Sequence, residues 1–275
     1  MRASFVRVNE LHTRYYHAGN RGPNLVLVHG VGAAADTWVR NIDALAEHCS
    51  VYALDLIGHG FSDATDMADA VPQEVQLRHL FGFIDQLGLD RYALAGSSFG
   101  GVISALAALQ RPNQLEKLVL IGALVFDTPA ELEQAARDAQ ANQSRALAAP
   151  SAAMIRQRNV GSNFLKDDVF DEIILSQLTA FALPGRQQSF ADTIEGVVRT
   201  ASVPEWHVHH RLEKIKCPTL VVIGRQDPRA KWERALEGQP RMPDCRVEIF
   251  EDCGHKPQSE YINDFNKLLI GFMTK

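Results

Sequence analysis

A serine set between glycines is the residue best placed for chemistry in this sequence. Segment 96–100, Gly-Ser-Ser-Phe-Gly, follows the apolar run 92–95 and opens a helical pattern. G-x-S-x-G between a strand and a helix is typical of a nucleophile elbow, because glycines two residues from the serine leave room for a tight, strained turn. Such a turn raises the hydroxyl above the sheet, at the positive end of a helix. The spacing therefore predicts Ser98, and not Ser97, as a nucleophile for acyl transfer.

A nucleophilic serine needs two partners, and candidates for both lie downstream. A serine hydroxyl requires a general base, which in turn requires a carboxylate to orient it. In chains with this elbow the acid precedes the histidine. Asp227 and His255 each lie a few residues beyond a short apolar run, and sites on parallel sheets gather at the carboxyl ends of strands. We predict a triad of Ser98, Asp227 and His255, with Asp127 and Asp252 as competing acids.

A glycine-rich loop supplies the remaining part of an acyl-transfer site. The tetrahedral intermediate carries an oxyanion that needs N–H donors. Segment 29–32, His-Gly-Val-Gly, follows the apolar run 25–28, and we predict the backbone N–H groups of Val31 and Phe99 as the two donors. The residues that we expect to line a substrate pocket are His29, Gly30, Phe126, Phe164, Leu178, Phe181 and Trp206.

Short apolar runs that alternate with helical patterns must position these residues. Such runs recur at residues 25–28, 51–54, 92–95, 118–121, 220–223 and 247–250. Each is too short for a helix and is rich in leucine or β-branched residues, as strands covered on both faces are. Alternation with helices predicts an α/β fold with a mostly parallel central sheet flanked by helices. Two alternating stretches, 5–8 and 11–16, predict an N-terminal hairpin.

The alternation stops between residues 124 and 212, where strand patterns nearly vanish. Helix-forming residues dominate at 129–136, 168–182 and 187–199, separated by prolines and glycines. We interpret residues 124–212 as a helical cap inserted between two strands. Residues 1–123 and 213–275 then form one core domain.

The composition and net charge argue against several classes of function. The 275 residues are 46% hydrophobic and 22% charged, which is typical of a globular protein. A net charge of −5 gives no general attraction to nucleic acid or anionic lipid. The four cysteines have no metal-ligand spacing, and the N-terminus has no signal-peptide pattern. We expect a cytoplasmic protein that binds a small-molecule substrate, with no nucleic-acid or membrane partner and with homodimer formation left open.

Together these motifs resemble the α/β-hydrolase superfamily, in its capped serine-hydrolase branch, over essentially the whole chain. The resemblance rests on the 29–32 loop, an Asp-x-x-Gly-x-Gly-x-Ser loop at 55–62, the 96–100 elbow, the Gly-x-x-Asp at 224–227 and the Gly-His at 254–255. It implies the same triad and the same pair of oxyanion donors. It also implies that neither a metal nor an organic cofactor is needed.

Two substrate classes fit this resemblance. We favour hydrolysis of a carboxylic ester or lactone; the alternative is C–C bond hydrolysis of a vinylogous diketone, as in the meta-cleavage-product hydrolases. That group usually has Asn where this chain has Ser97, and an aromatic residue where it has Lys256. It also binds a carboxylate through an arginine near the positions of Ser176 and Gln177, where this chain has no arginine. We interpret the arginines that could substitute as surface charges: Arg156, Arg158 and Arg186.

Three further interpretations compete with an acyl-transfer enzyme. Segment 30–35 also reads G-x-G-x-x-A, and Asp55 lies where a dinucleotide fold carries its ribose-binding acid, which would indicate an NAD-dependent oxidoreductase. A non-catalytic relative that serves as a small-molecule receptor would keep the same triad. The histidines at 207–210 could bind a metal, but no acid or cysteine accompanies them at ligand spacing.

Overall fold

An eight-stranded sheet forms the centre of the protein in a computed structural model that describes residues 1–148, 150–165 and 169–275. The strands are β1 (Arg2–Val8), β2 (Leu11–Ala18), β3 (Asn24–Val28), β4 (Ser50–Leu54), β5 (Tyr92–Ser97), β6 (Leu115–Ile121), β7 (Thr219–Gly224) and β8 (Cys245–Phe250). Their order across the sheet is β1-β2-β4-β3-β5-β6-β7-β8. Strand β2 pairs antiparallel with both neighbours, and all other pairs are parallel. The predicted α/β fold is confirmed, and β1 and β2 form the predicted hairpin.

Helices cover both faces of the sheet and build the inserted segment. They are α1 (Ile42–Ala46), α2 (Pro72–Gln86), α3 (Phe99–Gln110), α4 (Pro129–Ala148), α5 (Ala152–Val160), α6 (Asp171–Phe181), α7 (Arg186–Thr200), α8 (Trp232–Gly238), α9 (Pro257–Glu260) and α10 (Ile262–Met273). Short 3-10 helices add four turns at Ala35–Trp38, Pro204–Trp206, His209–Lys214 and Gln239–Arg241. Residues 92–109 contain no charged side chain, and they are divided between β5 and α3. Within the described part of the chain, no helix is both long and apolar enough to cross a membrane.

The sheet is buried on both faces because its strands are apolar at successive positions. Successive side chains of a strand point to opposite faces. In β3, Val26 and Val28 pack into one hydrophobic cluster with α2 and α3, whereas Leu25 and Leu27 pack into the other with α1 and α10. All four side chains are inaccessible to solvent. The sheet therefore holds its carboxyl-end loops on a rigid support.

Four helices, α4 to α7, lie between β6 and β7, in the segment that we interpret as a cap. Helices at 129–136, 168–182 and 187–199 were expected. Helix α4 is longer than the first, the bounds of α6 lie within three residues of the second, and those of α7 lie within one residue of the third. Asp168, at the start of the second expected helix, lies outside the described residues. Helix α5 was not predicted, because only Ile155 and Asn159 of its residues are buried and its apolar residues do not repeat at helical spacing. The cap has its own small core around Phe181 and Phe190.

Candidate active site

Ser98 occupies a strained turn between β5 and α3. Its φ is 54° and its ψ is −121°, a conformation that costs a non-glycine residue about 1–3 kcal/mol. Glycine at positions 96 and 100 permits the turn. A Cβ on Gly96 would collide with the carbonyl oxygen of Gly100, and one on Gly100 with those of Val28 and His29. The turn leaves Ser98 partly exposed at the wall of a cavity.

His255 and Asp227 meet at the ends of β8 and β7. The Nδ1 of His255 lies 2.8 Å from Oδ2 and 3.0 Å from Oδ1 of Asp227, and both side chains are buried. The backbone N–H groups of Arg229 and Ala230 also donate to Asp227 Oδ1, at 2.8 and 3.1 Å. These bonds fix the carboxylate, which in turn fixes the imidazole ring with its Nδ1–H toward Asp227.

The other ring nitrogen of His255 is left for chemistry. Its Nε2 is buried and has no hydrogen-bond partner among the described residues. His255 and Ser98 line the same cavity, so a proton acceptor and a hydroxyl face one space. The ring stays in place partly because the His255 backbone N–H donates to Ser162 O at 2.8 Å, which ties the loop to the cap.

The two competing acids do not bond to His255. Asp127 is buried, and burial together with the nearby Glu131 carboxylate raises its pKa to about 6. Asp252 lies in a turn with φ of 53° and is exposed. Asp227 is the acid that the fold brings to the imidazole.

The predicted oxyanion loop runs beside the nucleophile. A Cβ placed on Gly30 would lie 3.0 Å from Ser98 Cβ and 3.6 Å from its Oγ. Phe99 is the first residue of α3, so its N–H has no intrahelical acceptor. Among the described residues no acceptor receives the N–H of Phe99 or of Val31. Both donors therefore remain available to a bound ligand, although their role stays a prediction.

The cavity lies between the cap and the sheet edge, and its wall differs from the predicted pocket. Of the expected pocket residues only Gly30 lines it. His29 is fully buried behind the loop and accepts the Leu56 N–H at its Nε2, at 3.0 Å. The other five were chosen as apolar residues, but apolar packing explains four of them: Phe126 and Trp206 belong to the main core, and Leu178 and Phe181 to the cap core.

Phe164, the remaining predicted pocket residue, is 42% exposed and also lies off the cavity. The residues that the prediction missed on the wall are largely polar. They include Thr37, Arg158, Asn159, Asn163, Gln177, Arg229, Lys256 and Gln258. Periodicity could not reveal them, because polar residues that face a cavity have the same sequence pattern as polar residues that face water. The exception is Lys256, whose position directly after His255 is a usable signal.

Three cationic side chains lie on this wall: Arg158, Arg229 and Lys256. Arg158 of α5 donates from Nη1 to Gly32 O at 2.8 Å and from Nη2 to Val31 O at 3.2 Å. The Nζ of Lys256 donates to Asn159 Oδ1 at 2.6 Å. Burial and the nearby guanidinium groups of Arg158 and Arg229 lower the pKa of Lys256 to about 7. Burial, with Arg229, also lowers the pKa of Arg158 to about 10.

The expectation of surface arginines in the cap therefore needs correction. Arg156 is exposed and pairs with Asp171, as expected of a surface charge. Arg158 instead lines the cavity, and Arg186 is buried and donates to Ser62 O. Arg158 and Arg186 are shielded from solvent because α5 and α7 each pack one face against the core domain. The spacing of these arginines in the sequence does not differ from that of solvated residues, so the sequence alone could not show this.

The dinucleotide interpretation is wrong for a structural reason. The side chain of Asp55 is fully buried and accepts hydrogen bonds from Arg14 Nε, from Ala35 N–H and from Phe61 N–H, at 2.6, 2.7 and 2.8 Å. Arg14 Nη2 also donates to Asp55 Oδ1, at 2.9 Å, so the roughly four acceptor sites of the carboxylate are all taken and none remains for a ribose hydroxyl. A group of three or more metal-ligating side chains is not found among the described residues; His209 bonds to Phe126 O through its Nδ1 instead.

A family model for the alpha/beta hydrolase fold matches residues 23–260. The chain belongs to this family. It is therefore an enzyme of the hydrolase class, and proteins similar to this α/β hydrolase include dienedioate hydrolases. A 2-hydroxy-6-oxononadienedioate/2-hydroxy-6-oxononatrienedioate hydrolase of Escherichia coli is 30% identical over 98% of this chain and 95% of its own length. A protein of the same description from Dechloromonas aromatica is 26% identical over 99% of this chain and 95% of its own.

A solved structure extends the similarity to three dimensions. The 2-hydroxy-6-oxo-6-phenylhexa-2,4-dienoate hydrolase of Rhodococcus sp. strain RHA1 has a TM-score of 0.81 and is 21% identical, and the match covers 100% of both chains. At this identity the comparison shows a shared fold, with the cap included in the aligned length.

Proposed function

We propose that this protein is a serine hydrolase that cleaves a C–C bond in a vinylogous diketone, the class of ring-cleavage product on which its named relatives act. The observation that carries the proposal is that a strained serine and a carboxylate-bound histidine line the same cavity. Relatives matched over nearly their whole length, named as dienedioate hydrolases, support the C–C reaction. This reverses the order favoured from the sequence, in which ester or lactone hydrolysis came first.

The first half of the reaction uses the proposed triad. His255 Nε2 takes the proton from Ser98 Oγ as the oxygen attacks the ketone carbonyl. Asp227 holds the Nδ1–H and stabilises the imidazolium that forms. The N–H groups of Val31 and Phe99 bind the oxyanion, and removal of one such donor costs on the order of 10²–10³ in rate.

The second half depends on the leaving group. When the C–C bond beside the former ketone breaks, its electron pair passes to carbon, so the resulting carbanion must be delocalised. In a vinylogous diketone the carbanion is conjugated to the second carbonyl. The proton that His255 took from Ser98 is then transferred to this leaving group and neutralises its charge. Water then hydrolyses the acyl–Ser98 ester. One water is consumed, and a carboxylic acid and a dienol acid are released.

A paired assay tests this proposal. The purified protein is given 2-hydroxy-6-oxo-6-phenylhexa-2,4-dienoate, followed by loss of its yellow absorbance, and separately 4-nitrophenyl butanoate, followed by release of nitrophenolate. We expect kcat/KM for the dienoate to exceed that for the ester by about tenfold or more, which corresponds to about 1.4 kcal/mol of extra transition-state binding.

An activity ratio in favour of the ester would overturn the C–C assignment and leave an esterase. Ser98→Ala serves as the control for background chemistry. It should lose both activities by about 10⁴-fold or more while keeping its circular dichroism spectrum.

A further inference from the structure

Helix α5, from the segment inserted between β6 and β7, holds the loop that carries one of the predicted oxyanion donors. Arg158 lies in the last turn of α5. It donates from Nη1 to the carbonyl oxygen of Gly32 at 2.8 Å and from Nη2 to that of Val31 at 3.2 Å. Among the described residues, neither oxygen receives a hydrogen bond from a backbone N–H. The guanidinium group is therefore the partner that the fold provides for these two carbonyls.

The loop forms a tight turn at this point. The Ala33 N–H donates to the carbonyl oxygen of Gly30 at 3.1 Å, which closes a β-turn over residues 30–33, and a φ of 65° at Gly32 is typical of the third residue of a type II turn. A Cβ on Gly32 would collide with Arg158 Nη2 and with the ring of Phe190. The turn thus lies directly against the inserted helices, and Arg158 bonds to the carbonyls of its two central residues.

Arg158 is itself held in place by two aromatic rings. Its guanidinium carbon lies 5.4 Å from the ring centroid of Phe190 and 5.8 Å from that of Phe181, and both rings belong to the small core of the inserted segment. Contacts with the face of a ring restrain a guanidinium group and leave its N–H groups free to donate. The position of Arg158, and with it that of the turn, therefore follows the packing of the inserted helices.

The turn that Arg158 holds lies beside the nucleophile. Gly30 approaches so closely that a Cβ on it would lie 3.0 Å from Ser98 Cβ. The Val31 N–H, which we predict as an oxyanion donor, belongs to the first peptide group of this turn. Such a donor acts only within about 2.7–3.1 Å of the oxyanion, so a small displacement of the turn would weaken its contribution.

We propose that Arg158 is a positioning residue for the oxyanion hole. It fixes the 30–33 turn so that the Val31 N–H points at the oxyanion, and the hole is complete only while α5 packs on this turn. The proposal rests on the proposed function for Ser98 as the nucleophile and Val31 as a donor, and it applies to an ester and to a C–C substrate alike. The role requires two donors in a fixed fork, which arginine has and lysine lacks.

Two esters that differ in one atom measure the quality of the oxyanion hole. One is 4-nitrophenyl butanoate, and the other is its thiono analogue, in which sulfur replaces the carbonyl oxygen. Sulfur accepts N–H hydrogen bonds less well than oxygen, so the ratio of kcat/KM for the oxo ester to that for the thiono ester reports the N–H donors of the hole. A loss of active enzyme, or weaker binding of both esters, lowers both values equally and leaves the ratio unchanged.

Three variants are compared by this ratio. Arg158→Met removes both donors and should lower the oxo-to-thiono ratio by about tenfold, because the Val31 N–H is displaced but not lost. Arg158→Lys keeps one donor group and should lower the ratio by about threefold. Arg156→Met is the matched control, since Arg156 lies on the same helix but is exposed and pairs with Asp171; it should leave the ratio unchanged.

An inhibitor gives a second measurement of the same property. A trifluoromethyl ketone with a butyl chain accepts Ser98 Oγ at its carbonyl carbon, the serine proton passes to His255, and the carbonyl oxygen becomes a stable oxyanion. Its inhibition constant should rise by about tenfold in Arg158→Met, in parallel with the loss of kcat/KM for the oxo ester. Arg156→Met should bind it as wild type does.

The outcomes separate this proposal from the proposed function. An unchanged ratio in whichever of Arg158→Met and Arg158→Lys is folded, as judged from its thermal unfolding midpoint, would overturn the positioning role, and so would an equal fall in Arg156→Met. A fall confined to the Arg158 variants would support the role even if no dienoate were hydrolysed, a result that overturns only the C–C function. Continued turnover of both esters by Ser98→Ala would overturn the nucleophile itself.

Discussion

Asp227 differs from other acidic loop residues in the hydrogen bonds that surround its carboxylate. Its carboxylate is buried, accepts two backbone N–H groups and faces His255 Nδ1. Asp127 is also buried, but among the described residues its carboxylate accepts no hydrogen bond, and burial together with Glu131 raises its pKa to about 6. Burial alone does not make an orienting acid; the hydrogen bonds around it do.

This difference predicts unequal effects of two matched substitutions. Asp227→Asn should lower kcat by about 10⁴-fold, because the amide favours the wrong tautomer of His255. Asp127→Asn, an equally conservative change at a buried acid, should alter kcat by less than about tenfold. Both are measured on the substrate preferred in the paired assay. A larger loss in the Asp127 variant would move the role of orienting acid to that residue.

The sequence identified the triad candidates but could not identify the wall around them. Ser98, Asp227 and His255 each follow the end of a strand. The ends of these strands can be identified from the sequence because buried parallel strands are short apolar runs. Phe126 and Trp206 were expected at the pocket for their apolar character, yet the same character places them in the core. Arg158 faces the cavity only because α5 packs over the 29–32 loop, a tertiary contact that has no local sequence pattern.

At the scale of elements, Glu260 in α9 joins the histidine loop to the cap. Its Oε2 accepts the N–H groups of Phe164 at 2.7 Å and Leu165 at 3.0 Å, both in the cap, and its carboxylate accepts the Gly254 N–H at 3.1 and 3.2 Å. The side chain is buried. One carboxylate thereby satisfies backbone donors from two segments and sets the distance between His255 and the cap.

Removal of this carboxylate should loosen both segments. Glu260→Ala leaves buried N–H groups without acceptors, so we expect the free energy of unfolding to fall by about 3 kcal/mol. Glu251→Ala is the matched control, because Glu251 is 65% exposed and pairs with Arg225; it should cost less than about 1 kcal/mol. Urea unfolding measures both. Similar losses in the two variants would mean that Glu260 has no joining role.

At the scale of the whole molecule, the sheet brings distant parts of the chain to one edge. Strands β5, β7 and β8 run parallel, so the loops that follow them emerge on the same side. The helical segment between β6 and β7, which we interpret as a cap, contributes about half of the residues that line the cavity, and the core contributes the rest. Those from the helical segment are Arg158, Asn159, Ser162, Asn163, Val169, Phe170, Ile173 and Gln177. The alternation of strands and helices was sufficient to predict the mostly parallel sheet and its flanking helices. The contacts of α5 and α6 with the loops of the sheet were not predictable, because they depend on tertiary packing.

Covalent labelling tests the assignment of Ser98 as the nucleophile. The protein is treated with a fluorophosphonate, which reacts with serines activated by a neighbouring base, and the adduct is located by peptide mass spectrometry. We predict a single adduct on Ser98 that is absent from Ser98→Ala and strongly reduced in His255→Ala. An adduct on another residue, or continued hydrolysis of the preferred substrate by Ser98→Ala, would contradict it.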